Sequence, residues 1–165
     1  MPSPERAVVV DSTPIIALAG LGQLDLLHRL YGEVLVPPAV WAELTTGERR
    51  PGGREDLAAA PWIQSVQLAD PGQPDLFSDL DRGEAEVIAL ARQTGARLVI
   101  IDDRLGRRHA TRLGLRLTGT FGVLLAAKKR GLLSEIRPLV DLLAENRLYA
   151  SPALRALVLE RAGEP

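Results

Sequence analysis

The sequence contains no cysteine, which excludes disulfides, thiolate metal sites and cysteine nucleophiles. It has only two histidines, His28 and His109, so a zinc centre is not expected. Aromatic residues make up 4% of the chain. The core must therefore be built from Leu, Val, Ile and Ala, and a surface of rings for base stacking is not expected. Neither sign of charge dominates: 20 basic residues face 21 acidic ones, for a net charge of −1. That balance neither demands nor excludes a nucleic-acid partner, because a local basic patch is diluted in the sum. No apolar stretch approaches the roughly 20 residues that a membrane span needs. Residues Met1 to Arg6 are polar and the apolar run behind them is closed by Asp11, so no secretion signal is expected and the cytoplasm is the expected location.

What is present is a chain of 165 residues, 46% hydrophobic and 25% charged, enough for one domain over residues 1–165 with a sizeable core. Short β-type runs alternate with helical patterns. Strands are expected at Ala7–Val10, Val34–Val36, Trp62–Leu68, Arg97–Ile101 and Leu115–Thr118. Between them, Pro14–Leu30 reads as one interrupted helix or two short ones, and a helix starts at Pro38, where proline suits the first turn. Thr45 to Gly53 reads as a mobile loop and Asp70 to Asp81 as a connector. Helices follow over Gly83–Thr94, Arg104–Leu113, Phe121–Arg130 and Ser134–Asn146, the last capped by Ser134. Ser151 and Pro152 open a final, peripheral helix over 151–165. Repetition of strand and helix predicts an α/β fold, with a central parallel sheet of about five strands between helical layers.

The informative residues are acids at strand ends. Asp102 and Asp103 directly follow the apolar run Leu98 to Ile101, and Asp11 closes the run Ala7 to Val10 in the same way. In open α/β sheets, ligands bind beyond the carboxyl ends of the strands. Glu43 lies on the helix after the second strand, and Glu84 begins the helix before the fourth. Glu86 sits about 200° around that helix from Glu84 and cannot serve the same pocket. Several ionised carboxylates within a few ångströms conflict unless some take up protons or a cation intervenes. An oxygen-only donor set suits Mg²⁺ or Mn²⁺. Each acid also has a plain structural reading. Asp103 can cap the following helix, Asp11 can cap the helix after it unless Ser12 or Thr13 does so instead, Glu43 can be a solvated helix residue, and Glu84 can complement a helix dipole.

Five segments carry a family resemblance: Val9 to Ile16, Val36 to Leu44, Asp81 to Ala91, Ile101 to Ala110 and Gly119 to Lys128. In this order they resemble the PIN domain, the ribonuclease fold of many prokaryotic toxin–antitoxin toxins, and within it the DUF3368-like branch. The resemblance implies a PIN-like three-layer α/β/α fold with about five parallel strands. It implies catalytic and metal-binding roles for Asp11, Glu43, Glu84 and Asp102, with Asp103 an auxiliary ligand. Glu84 stands where most members have Asp. Ile100 stands where many have Thr or Ser, so polar support has to come from elsewhere; Ser12, Thr13 and Thr120 are the candidates, with Ser12 and Thr120 preferred. The implied activity is Mg²⁺- or Mn²⁺-dependent endonucleolytic cleavage of RNA. The implied partners are an RNA substrate, a small cognate antitoxin and a second copy of the chain.

Phosphate chemistry also needs cations near the acids. Arg104, Arg107 and Arg108 follow the Asp102–Asp103 pair on one helix, and Lys128, Lys129 and Arg130 form a second cluster. Arginine suits bidentate phosphate contact. Arg104, Arg107, Arg108 and Lys128 are the expected RNA-binding residues, whereas His109 reads as a surface or packing residue. Two other readings use the same residues. A receiver-like Mg²⁺-binding phosphotransfer domain would employ Thr120 and Lys128, but its acidic pair should follow the first strand and here follows the fourth. A non-catalytic PIN-like module would bind RNA or protein without turnover.

Overall fold

The computed structural model of the chain describes residues 7–145 and 151–165. Its tertiary contacts divide the chain into two compact units, Met1–Gly119 and Thr120–Pro165.

The first unit is built on five short parallel strands: β1 (Val8–Val10), β2 (Val34–Val36), β3 (Ile63–Ser65), β4 (Leu98–Ile100) and β5 (Leu117–Thr118). Their order in the sheet is β3-β2-β1-β4-β5. The three valines of β1 and Val34, Leu35 and Val36 of β2 are fully or almost fully buried, as are Val99 and Ile100 of β4. Continuous rather than alternating apolar runs are what strands covered on both faces require. Each fully buried Val contributes about 1.5–3 kcal/mol relative to exposure. Helices flank the sheet in the three-layer α/β/α arrangement expected from the sequence. The chain leaves β1 toward β2 and leaves β4 toward β5, in opposite directions along the sheet. The adjacent pair β1–β4 is therefore the topological switch point, where such sheets open a crevice.

The helices of this unit are α1 (Ser12–Gly20), α2 (Asp25–Tyr31), α3 (Pro38–Thr45), α4 (Arg54–Ala58), α5 (Arg82–Thr94) and α6 (Arg104–Arg112). The apolar stretch after β1 is two helices, split at Gly22, which takes the left-handed conformation open to glycine. Asp11 caps α1, accepting from the Ser12 N–H, so neither Ser12 nor Thr13 has that task. The third strand is shorter than the expected Trp62–Leu68, and α4 lies in a stretch to which no element was assigned. The Thr45 to Gly53 loop is pinned rather than loose. The guanidinium of Arg50 donates to the Glu43 carbonyl, Arg54 Nε to the Thr45 carbonyl at 2.6 Å, and Gly52 and Gly53 are buried. The connector before α5 holds a short 3-10 turn, Gln73–Leu76.

Helix α5 is buried around most of its girth, with Ala85 through Ala91 all inaccessible. That run includes Glu86, whose carboxylate accepts from the Ala39 N–H at 3.0 Å and from Arg82 Nε at 2.7 Å. Glu86 thus satisfies a donor left over at the start of α3 and ties α3 to α5. Phe77, Ala85, Ile88 and Ala110 form an adjoining apolar cluster between α5 and α6.

The second unit contains α7 (Thr120–Lys129), α8 (Arg137–Glu145) and α9 (Pro152–Arg161). Ser134 does not cap α8, which starts three residues later; the expected end at Asn146 lies outside the described residues. The cap comes from far along the chain. Glu164 accepts from the Ile136 and Arg137 N–H groups at 2.9 and 3.1 Å and from Lys128 Nζ at 2.8 Å. Arg137 returns the contact, donating to the Glu164 carbonyl at 2.6 Å. Among the described residues, no helix is long and apolar enough to cross a membrane.

Two predictions follow from this packing. A Cβ on Gly106 would collide with Cδ1 of the buried Ile101. Gly106→Ala should destabilise the chain by about 1–3 kcal/mol, read by denaturant melts. In the second unit, the Lys128 ammonium holds the Glu164 carboxyl down at about 2, with help from two backbone N–H groups. Its stabilisation is present above the ordinary Glu value of 4.5 and is lost as pH falls toward 2. Glu164→Gln should lower the melting temperature at pH 7, and the gap from the parent should close by pH 2–3.

Candidate active site

The site grows from the switch point. In the β1–β4 register Val10 faces Ile100, and the Asp11 N–H donates to the Ile100 carbonyl at 2.9 Å. That bond carries the ladder one residue past β1 and sets Asp11 beside the segment that ends in Asp102. Asp11 is buried, at 3% exposure, whereas Asp102 and Asp103 are half-buried. Ser12 is buried too, and its N–H on the Asp11 carboxylate at 2.8 Å is a fixed polar contact to that acid.

Helix α3 brings Glu43 toward the same place, and α5 brings Glu84. Between them stands an acid that the sequence reading passed over, Asp81. It is the N-cap of α5, accepting from the Glu84 N–H at 2.8 Å, while the Glu84 carboxylate accepts from the Asp81 N–H at 3.3 Å. This is a capping box, and its signature, Asp-x-x-Glu ahead of an apolar run, is legible in the sequence. A Cβ built on Gly83 would lie 3.6 Å from both Asp81 Oδ1 and Glu43 Oε2, so these carboxylates flank one point from two helices. Asp103 caps α6, accepting from the Gly106 N–H at 2.7 Å.

The electrostatics show which acids share a field. Asp11 is pushed up to about 7, first by burial and then by Asp81, Glu43 and Asp102, against the opposing Ser12 hydrogen bond. Glu84 is pushed up to about 7 as well, by burial and then by Asp81, Asp103 and Asp11. Asp11, Glu43, Asp81 and Glu84 make no ion pair with a Lys or Arg among the described residues. Also among the described residues, no three His, Asp or Glu side chains are gathered closely enough to form a closed metal-ligating group. Asp11 is the buried member of this set, Glu84 is half-buried, and Glu43 and Asp81 are exposed. An all-oxygen acid set of this kind fits a hard divalent cation that binds through one or two carboxylates and keeps several waters.

The expected cations divide into three kinds. Arg107 is half-buried, and its Nη1 donates to the Ile101 carbonyl at 3.2 Å, which fixes it at the end of β4. Arg104 and Arg108 are exposed on α6. Lys128 belongs to the second unit, where its ammonium is engaged by Glu164. Thr120 is buried in that same unit. His109 pairs with Asp79 at 2.9 Å and sets its ring edge-on to Phe77, a packing role.

The raised Asp11 has a direct consequence for stability. Its carboxyl titrates near 3.8 when unfolded and about 7 when folded, so the folded state binds more protons between those values. Without divalent cations, stability should fall as pH rises from about 4 through 7. Asp11→Asn should melt above the parent at pH 8 and show a flatter pH profile, and Mn²⁺ should raise the parent's melting temperature more than the variant's.

No curated protein matches the chain. A family model for DUF3368, described as a PIN domain, matches residues 7–164. PIN domains are generally nucleases and typically bind divalent metals. The match spans both the acid-bearing sheet and the helices that follow it, and the chain belongs to the PIN-domain family.

Proposed function

We propose that this chain is a divalent-metal-dependent endoribonuclease that hydrolyses RNA phosphodiester bonds. The observation that carries the reading is the gathering of Asp11, Glu43, Asp81 and Glu84 at the β1–β4 switch point, none of them ion-paired with a Lys or Arg among the described residues. Asp11, Glu43, Glu84 and Asp102 would hold Mg²⁺ or Mn²⁺, with Asp103 and the newly found Asp81 beside them. Bound there, the cation supplies an activated water and neutralises charge on the phosphoryl oxygens.

The protein's own contribution is positioning. Asp11 is fixed by the ladder bond to Ile100 and by the Ser12 N–H, so its carboxylate does not have to reorganise on substrate binding. Glu43 and Asp81 approach from α3 and α5, whose relative placement Glu86 secures. Arg104 and Arg108 present exposed guanidinium groups for the phosphates on either side of the cleaved bond. The low aromatic content favours recognition through the backbone of the RNA over stacking on its bases.

The resemblance to toxin–antitoxin toxins extends the proposal to a biological role: a toxin held inactive by a small antitoxin protein and working as a homodimer. The direct test is RNA cleavage by purified protein with Mg²⁺ or Mn²⁺ added. Asp102→Asn should lower the cleavage rate by at least about 100-fold while leaving the far-UV circular dichroism unchanged. Expression of the parent, but not of the variant, should slow cell growth. Parent protein that binds neither ion and cleaves no RNA would sink the proposal.

A further inference from the structure

Glycine at position 119 is not explained by its backbone. Gly119 is absent from the positive-φ glycines, so a side chain would meet no conformational penalty there. The residue is buried, directly after β5, whose Thr118 carbonyl accepts from the Ile101 N–H at 2.9 Å. This pairing brings Gly119 against the end of β4. A Cβ built on it would lie 2.5 Å from Asp102 Oδ1, 2.8 Å from Arg107 Nη1 and 3.5 Å from the Ile101 carbonyl oxygen. The first two separations are shorter than real Cβ contacts tolerate. The space that a side chain would take is already filled by one carboxylate oxygen and one guanidinium nitrogen.

We propose that Gly119 is a positioning residue, whose missing side chain leaves the niche in which the Asp102 carboxylate and the Arg107 guanidinium stand side by side. The inference rests on the reading of Asp102 as a metal-binding acid and adds what sets its aim. Three elements fix the niche. The segment leaving β4 supplies Asp102, α6 supplies Arg107, and the residue after β5 supplies the floor. Arg107 is anchored from behind, because its Nη1 donates to the Ile101 carbonyl, one residue before the acid it accompanies. The guanidinium thereby occupies one side of the niche and confines the Asp102 carboxylate to the other.

The contrast with Gly106 defines the expected phenotype. A Cβ at 106 meets a buried apolar side chain, so that glycine serves packing. A Cβ at 119 meets the ends of two half-buried polar side chains, whose displacement disturbs no apolar packing. Substitution at 119 should therefore move the site and spare the fold.

The experiment uses the full chain and Mn²⁺ alone as probe. Mn²⁺ affinity is measured by electron paramagnetic resonance for the parent, Gly119→Ala and Asp102→Asn, with a thermal melt of each in metal-free buffer. Gly119→Ala should weaken Mn²⁺ binding by about tenfold or more, the scale of a change just behind a metal ligand. Its melting temperature should stay within about 3 °C of the parent's, equivalent to a small stability change in a chain of this size. A parent-like Mn²⁺ affinity in Gly119→Ala, with affinity lost in Asp102→Asn, overturns the positioning role alone. A large fall in melting temperature with the affinity of the folded variant unchanged makes Gly119 a packing residue and also overturns it. Parent-like Mn²⁺ binding in Asp102→Asn overturns the metal-site reading and this inference with it.

Discussion

The parallel pairing of β1 with β4 is the constraint on which the rest of the site depends. It places two strands that each end in a carboxylate next to one another, at the one position in the sheet where their outgoing connections diverge. Valines and isoleucines bury both strands so completely that the register has little freedom to slip. The apolar core thus does electrostatic work. Hydrophobic burial withdraws acids from water and holds them near one another, and the raised titration of Asp11 and Glu84 reflects the burial first and the repulsion second. That stored repulsion is what a divalent cation would relieve.

Much of this was legible in the sequence because it is written locally. The acids at 11 and 102 terminate recognisable apolar runs, and the alternation of strand and helix fixes a parallel sheet with its functional edge at the strand ends. Asp81 was also written locally, as a capping box, but it was obscured because the stretch before it, with Pro71, Gly72 and Pro74, reads as a connector ending there. Helix α4 escaped because five residues behind a paired glycine carry too little periodicity to read. The cap of α8 by Glu164 and the niche at Gly119 were not legible at all. Both are relations between residues far apart in sequence, or between side chains that meet only after β5 has paired with β4.

The acidic residues fall into distinct kinds of work despite their shared chemistry. Glu86 is buried and fully engaged, joining Arg82 to the start of α3. Glu164 holds three neighbours together in the second unit. Both have found cationic or N–H partners, and their charge is structural. Asp11 and Glu84 at the sheet edge also accept a backbone N–H each, but the charged neighbours that shift them are other acids. The difference is one of surroundings rather than residue type, which explains why counting carboxylates in the sequence could nominate a site but could not separate Glu84 from Asp81.

Three of the site acids, Asp11, Asp81 and Asp103, are also helix caps. Each carboxylate therefore has two jobs that different replacements separate. An amide side chain keeps an oxygen for the backbone N–H group while discarding the charge; alanine discards both. Loss of function in an alanine variant at 81 or 103 would mix a frayed α5 or α6 with a missing ligand. The amide variants are the clean reagents for this pocket, and any comparison of alanine with asparagine at these positions measures how much architecture each acid carries besides its chemistry.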